Sequence, residues 1–385
     1  MEDYLEKVPG FVERIKAIQE VILTNIVLIG QIPAPTFKER KRAEFFLDRL
    51  SEFQVDECSS DEYHNPIGII RGTANDTPPI FVVAHLDTFF KDDIVYHYTL
   101  KKKYLSGPGL LDNSAGVGVL VSLPEIFRAL DLRFKSDIVL AGVVQSIGRG
   151  NLRGMRSLLK TWPGPIRGGV CIEGFELGRL NYFSDGMIRC EIDCVVDLYD
   201  DTKEKRRANA ILILNEVINQ TLQLSLPQRP RTKIVIGKIS GGFNHGKTAP
   251  RANLGFEIRS DSDDMIKLVF GRIKDIVDGI DHEHDVSLKL KTVSNLRATR
   301  LKFNHPLVKS AAGVIKNLGI KPVGQPTESE LSIFLSHGIP AVTLGVSRGK
   351  HMLMENATME IEPMFKGIAQ IIGVIMAIDS GVCDG

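Results

Sequence analysis

The chain has 385 residues, 43% of them hydrophobic and 25% charged, the proportions of an ordinary globular protein with room for two domains or for one large domain carrying an insertion. Its 48 lysines and arginines nearly balance 47 aspartates and glutamates, a formal charge of +1, which excludes the basic face of a nucleic-acid binder and a polybasic membrane anchor. Five cysteines without a paired spacing exclude a disulfide framework and fit reduced thiols in a cytoplasmic protein.

Residues 1–26 interleave charged and apolar positions and lack the apolar centre of a signal peptide. No later segment approaches the roughly 20 apolar residues that span a bilayer. Helical periodicity places amphipathic helices at 11–27 and 37–53, joined by the rigid connector Ile32-Pro33-Ala34-Pro35-Thr36. Apolar runs at 67–71, 79–84, 137–145 and 168–173 read as strands, alternating with helices at 115–130 and 152–160. This alternation predicts an α/β fold, a mainly parallel sheet with helices on both faces.

The rhythm then changes to strand 187–199, helix 203–223, strands 232–239 and 252–259, helix 261–279 and strand 285–292. That order, β-α-β-β-α-β, is the ferredoxin-like split motif. It predicts a domain at 186–295 inserted between the two parts, 1–185 and 296–385, of a discontinuous first domain. Helices at 305–318, 328–337 and 361–379, with a strand at 341–345, resume the first pattern.

Ionisable groups stand where the buried strands end. His85 closes the run Ile80-Phe81-Val82-Val83-Ala84, and Asp87 follows as a carboxylate able to orient the imidazole. Asp112 lies after the glycine-flanked turn Gly107-Pro108-Gly109, at the start of a predicted helix. Glu173 ends Gly169-Val170-Cys171-Ile172, and His351 comes shortly after the strand that ends at Gly345. Each alone reads as a helix cap or a solvated loop residue. Together they read as a metal site, because ligands gather outside the carboxyl ends of strands in open α/β sheets, and zinc takes nitrogen and oxygen donors of this kind.

These motifs, with Pro35-Thr36-Phe37-Lys38-Glu39, Ser240-Gly241-Gly242, Glu257-Ile258-Arg259 and His337-Gly338-Ile339-Pro340, give the chain a resemblance along nearly its whole length. It resembles the acetylornithine deacetylase, succinyl-diaminopimelate desuccinylase and peptidase T family of co-catalytic zinc hydrolases. The resemblance implies a zinc-exopeptidase-like domain with an inserted lid through which family members commonly dimerise. It implies that His85, Asp112 and Glu173 bind a first zinc, that Asp112 bridges to a second held by His351, and that Asp87 steadies His85. Arg259 matches a position that contacts a substrate carboxylate.

The same resemblance exposes departures. The family's mechanism uses two adjacent glutamates after the third core strand, one the general base and the other a ligand to the second metal. Aligning on Ile147-Gly148 puts Gln145 at the base position and Ser146 at the ligand position. A lid histidine expected near 196–203 is absent, leaving His245 in the Gly-Gly loop as a spatial substitute. Two readings follow. One is a hydrolase of small peptides or N-acyl amino acids with an altered mechanism, holding one zinc firmly and a second weakly, with cobalt or manganese acceptable to the same donors. The other is a non-catalytic binding or scaffold protein.

Overall fold

The computed structural model describes residues 3–74, 76–196, 208–284 and 286–384. Helices α1 (Asp3–Ala17), α2 (Gln19–Gln31) and α3 (Arg40–Glu52) open the chain. Two helices thus replace the single one expected at 11–27, because Ile18, at φ −109° and ψ 22°, leaves the helical region between them. Next come β1 (Glu57–Ser60), β2 (Pro66–Ile70), β3 (Ile80–His85), α4 (Ala115–Ala129), β4 (Ile138–Val143), α5 (Arg153–Thr161) and β5 (Gly168–Phe175). After them come β6 (Gly186–Val195), α6 (Ala210–Leu222), β7 (Thr232–Gly241), β8 (Arg251–Ser260), α7 (Asp263–His284) and β9 (Ser287–Leu296). The chain closes with α8 (Pro306–Asn317), α9 (Glu330–Ser336), β10 (Ala341–Ser347) and α10 (Ile361–Asp379).

The chain divides into two compact units, Met1–Phe183 with Arg300–Gly385, and Ser184–Thr299. The first is an α/β unit. Its main sheet runs β1-β2-β4-β3-β5-β10, with Leu180–Asn181 at the far edge. The four central strands are parallel and the edge pairs antiparallel. Helices cover both faces. Val82 and Ala84 of β3 join the large core built with α4 and α10. Phe81 on the opposite face meets Trp162 at 4.8 Å and Phe334 of α9 at 6.4 Å between ring centroids. A strand buried on both faces must be apolar throughout, which is why β3 reads as one continuous run. Gly367 lets α10 lie directly on β10, since a Cβ there would come within 1.7 Å of the Val346 carbonyl oxygen.

Contrary to the expectation that no segment is long and apolar enough to span a membrane, two are: Leu110–Ala129 and Ile361–Asp379. Both are mostly buried within the first unit, where their apolar surface packs on the sheet and on other helices. Their composition is that of core helices.

The second unit carries a four-stranded antiparallel sheet in the order β7-β8-β6-β9. Alternate residues of β8, Ala252, Leu254, Phe256 and Ile258, are buried with Ile213 and Val217 of α6 and Ile266 and Ile273 of α7. The intervening residues, Asn253, Glu257 and Arg259, lie on the polar face. Helix α6 starts after Asn209, whose Oδ1 accepts from the Ile211 N–H at 3.0 Å, a side-chain cap. Residues 197–207, which include most of the stretch where the resemblance places a lid histidine and the start of the helix predicted at 203–223, lie outside the described residues.

Candidate metal centre

Strand register brings the candidate residues to one edge of the first unit's sheet. His85, the last residue of β3, lies opposite Val143 of β4, two residues before Gln145. Glu173 of β5 lies opposite Gly345 of β10. Asp112 reaches the same edge from the loop before α4, which is not yet helical at this point: its φ of −143° and ψ of 78° belong to extended backbone. Gly109, at φ 67°, makes the preceding turn, and a Cβ there would press on Thr88.

Three donors converge. His85 Nε2 lies 3.0 Å from Asp112 Oδ1 and 3.9 Å from Glu173 Oε2, and donor atoms of the three residues all fall within 4.8 Å of one another. Nothing in the local sequence motifs says why Asp112 and Glu173 meet. The buried side chain of Asn113 supplies the reason: its Nδ2 donates to the Ile172 carbonyl and its Oδ1 accepts from the Gly174 N–H, each at 2.8 Å. The residue beside Asp112 thereby grips the residues on either side of Glu173. On the other ring nitrogen, His85 Nδ1 lies 3.1 Å from the Asp87 carbonyl oxygen and 3.4 Å from Asp87 Oδ1. Backbone and carboxylate of Asp87 both face that nitrogen, leaving Nε2 for the cluster.

The donor set fits a divalent cation. One imidazole and two carboxylates at a largely buried edge form a nitrogen–oxygen site suited to zinc, and also to cobalt or manganese. Burial pushes Glu173 up to about 7, against the opposing pull of His85 and of Arg179, a cation that sequence reasoning missed. Burial alone would depress His85, but its hydrogen bonds to Asp112 and Asp87 and the charge of Glu173 raise it well above the ordinary imidazole value. Glu39 is raised as well, by its burial and by the neighbouring charge of Asp87.

All three shifts make the metal-free folded chain hold protons more tightly than the unfolded chain. Their stabilising effect is complete below the ordinary values, 4.5 for the glutamates and 6.5 for histidine, and is lost as pH rises through the folded ones. Chelator-treated protein is therefore expected to show a urea midpoint that falls from about pH 5 through about pH 7, where Glu173 titrates, and goes on falling above it as His85 loses its proton. Zinc, which needs the deprotonated ligands, should stabilise more strongly over the same interval. A midpoint that rises with pH in the chelated protein contradicts this electrostatic account.

Beneath the cluster lies a buried frame of one cation and two anions. Arg42 is fully buried; its Nη1 donates to the Leu86 carbonyl at 2.8 Å, and Nε and Nη2 donate to the Ile32 carbonyl at 3.1 and 2.6 Å. Glu39 Oε1 accepts from the Phe37 and Gln145 N–H groups at 3.0 and 2.9 Å. Asp87 Oδ2 accepts from Thr36 Oγ1 at 2.9 Å and from the Ile147 N–H at 2.8 Å. These bonds join the proline-rich connector, the loop after β3 and the loop after β4. Gln145 thus has a fixed backbone, at φ 54°, and Ser146 Oγ is buried there without a hydrogen-bond partner among the described residues.

The remaining candidates are placed as follows. His351 is exposed at φ 60°, its carbonyl accepting from the Met354 N–H, and it stands outside the three-residue cluster. In the second unit, Arg259 Nε donates to Glu257 Oε2 at 2.8 Å, and Arg189 holds the other oxygen of the same carboxylate. Although burial opposes ionisation of Glu257, the two guanidiniums hold it below the usual carboxylate range. His245 is exposed in the loop after β7. Glu330, the first residue of α9 and not one of the candidates above, is buried with Oε1 unpartnered among the described residues, and its charge is felt at Glu173.

No family model and no curated protein matches this sequence. Solved structures do match it. Dug1p, a di-peptidase from Saccharomyces cerevisiae, aligns with a TM-score of 0.79 at 12% identity, covering 99% of this chain and 100% of that chain. Human carnosine dipeptidase 1 gives 0.75 at 13% identity, with 98% and 100% covered. YXEP from Bacillus subtilis, a dinuclear metal-binding peptidase from the M20 family, gives 0.64 at 13%, with 94% and 98% covered. At these identities the shared property is the fold, an α/β unit with an inserted second unit, and it extends over nearly the whole chain.

Proposed function

We propose that this chain is a metal-dependent hydrolase of the peptidase T and acetylornithine deacetylase kind, cleaving an amide or peptide bond near a free carboxylate. The observation that carries the reading is the convergence of His85, Asp112 and Glu173 at the carboxyl ends of parallel strands. In this reading they hold one zinc firmly, and Asp112, His351 and Ser146 border a second position with weak affinity. A bound divalent ion there supplies Lewis acidity and lowers the pKa of coordinated water. Asp87 keeps His85 turned toward the cluster, and Gln145 stands at the expected base position, able to orient water but not to take its proton.

Small peptides or N-acyl amino acids are the substrates of this reading, with Arg259 as carboxylate anchor and His245 as an auxiliary contact. The neighbours' names, a di-peptidase and a carnosine dipeptidase, support that class. Residues 186–295 act as the lid and 1–185 with 296–385 as the catalytic-type domain. Homodimerisation through the lid is supported by β7, an edge strand whose Ile239 and following Phe243 are exposed. A cytoplasmic location fits the unpaired cysteines.

The second reading, a binding protein descended from such enzymes, is favoured by one observation: neither Gln145 nor Ser146 carries a carboxylate. Elemental analysis of protein purified without added metal, combined with turnover of a panel of dipeptides and acyl-amino acids, separates the two. Bound metal that is lost in Asp112→Ala, together with hydrolysis that follows the metal, is the expected result. Bound metal without turnover supports the binding protein; no metal in the parent protein refutes the metal centre.

A further inference from the structure

A second place on the first unit combines a cavity with unspent charge. The cavity, about 570 Å³ and within the range of small-molecule sites, is lined by Tyr4, Leu132, Arg133, Lys135, Met376, Asp379 and Val382, among others. It lies at the opposite end of β4 from Gln145, since residues 132–136 lead into the first residue of that strand, Ile138.

The carboxylate in its lining is already committed. Asp379 accepts from the Lys135 and Ser136 backbone N–H groups at 3.0 and 2.8 Å, and Arg167 Nη1 lies 3.8 Å from its Oδ1. The side chains of Arg133 and Lys135, by contrast, are exposed and have no ion-pair partner among the described residues. Tyr4 is only 8% exposed, yet its hydroxyl makes no hydrogen bond among the described residues. That hydroxyl is accessible rather than sealed in the core, so it is open to a group bound in the cavity. Two free cations and a free hydroxyl over an apolar floor of Leu132, Met376 and Val382 complement one kind of ligand.

We propose that this cavity binds an amphipathic carboxylate, a small molecule whose apolar body rests on Leu132, Met376 and Val382 and whose carboxylate is met by Arg133, Lys135 and the Tyr4 hydroxyl. Arginine's planar fork and the ammonium of lysine match the two oxygens of such a group. The proposal does not depend on the metal centre, which stands at the other end of the strands.

Equilibrium dialysis of the whole chain with radiolabelled decanoate, paralleled by the shift in melting temperature that a ligand of the folded state produces, tests it. Saturable binding with a dissociation constant below about 1 mM is expected, with decanol at least about tenfold weaker. The double variant Arg133→Gln, Lys135→Gln, confined to exposed side chains without partners, should fold as the parent does by circular dichroism and lose at least about tenfold in affinity. Tyr4→Phe should weaken binding by a smaller factor. The proposal is overturned by an absence of saturable binding, by decanol binding as well as decanoate, or by affinity that survives the double variant.

Discussion

Gln145→Glu combined with Ser146→Glu is expected to raise hydrolysis of a dipeptide or acyl-amino acid by about 10²–10⁴-fold, the usual contribution of a positioned general base. Bound zinc should rise with it, because a carboxylate replaces a hydroxyl that is a poor ligand. The structure makes the substitution testable. The backbone of this loop is held from below, Gln145 by Glu39 and Ile147 by Asp87, so neither anchoring bond involves a replaced side chain. Ser146 Oγ has no hydrogen-bond partner among the described residues to lose. Turnover and metal content of the single and double variants decide the matter. If neither quantity moves in any of them while the protein stays folded, the alignment of this loop on Ile147 and Gly148 is wrong.

Replacing Arg42 with Met should destabilise the protein by about 3–5 kcal/mol, the cost of removing one partner from a buried charge network. The guanidinium has no exposed surface, and it donates to the main-chain carbonyls of Ile32 and Leu86. Its removal strands both carbonyls and takes away a buried positive charge that the nearby charges of Asp87 and Glu39 favour. Lysine should recover only part of the loss, because an ammonium cannot reproduce the fork that spans the two carbonyls. Urea denaturation gives the stability change, and zinc affinity reports whether the loop carrying His85 has shifted. A loss under about 1 kcal/mol for Arg42→Met contradicts the frame.

The elements legible in the sequence are those whose burial is uniform or strictly periodic. β3 and β4 bury every residue, and β8 alternates along its length, so both unit architectures can be read from hydrophobic pattern alone. β1 escapes because Glu57, Cys58, Ser59 and Ser60 are all exposed and nothing about their polarity marks a strand. The break at Ile18 escapes because apolar spacing runs through it without glycine or proline. At the site, His85 and Glu173 could be named from their places at strand ends, and Asp112 from its place between a glycine-flanked turn and a helix. Arg42, Asn113 and Arg179 could not, since each acts on residues brought near by tertiary folding rather than by spacing. Arg42 in particular reads as one more charge on an amphipathic helix, although it points inward.

Asn113 has one further effect. By tying its own loop to the main chain on both sides of Glu173, it makes the nest for the cation a product of chain folding rather than of ion capture. The ordering entropy is then met by folding itself, so a protein loaded with a cation is expected to keep the backbone of the empty one, with equal amide hydrogen exchange in this loop.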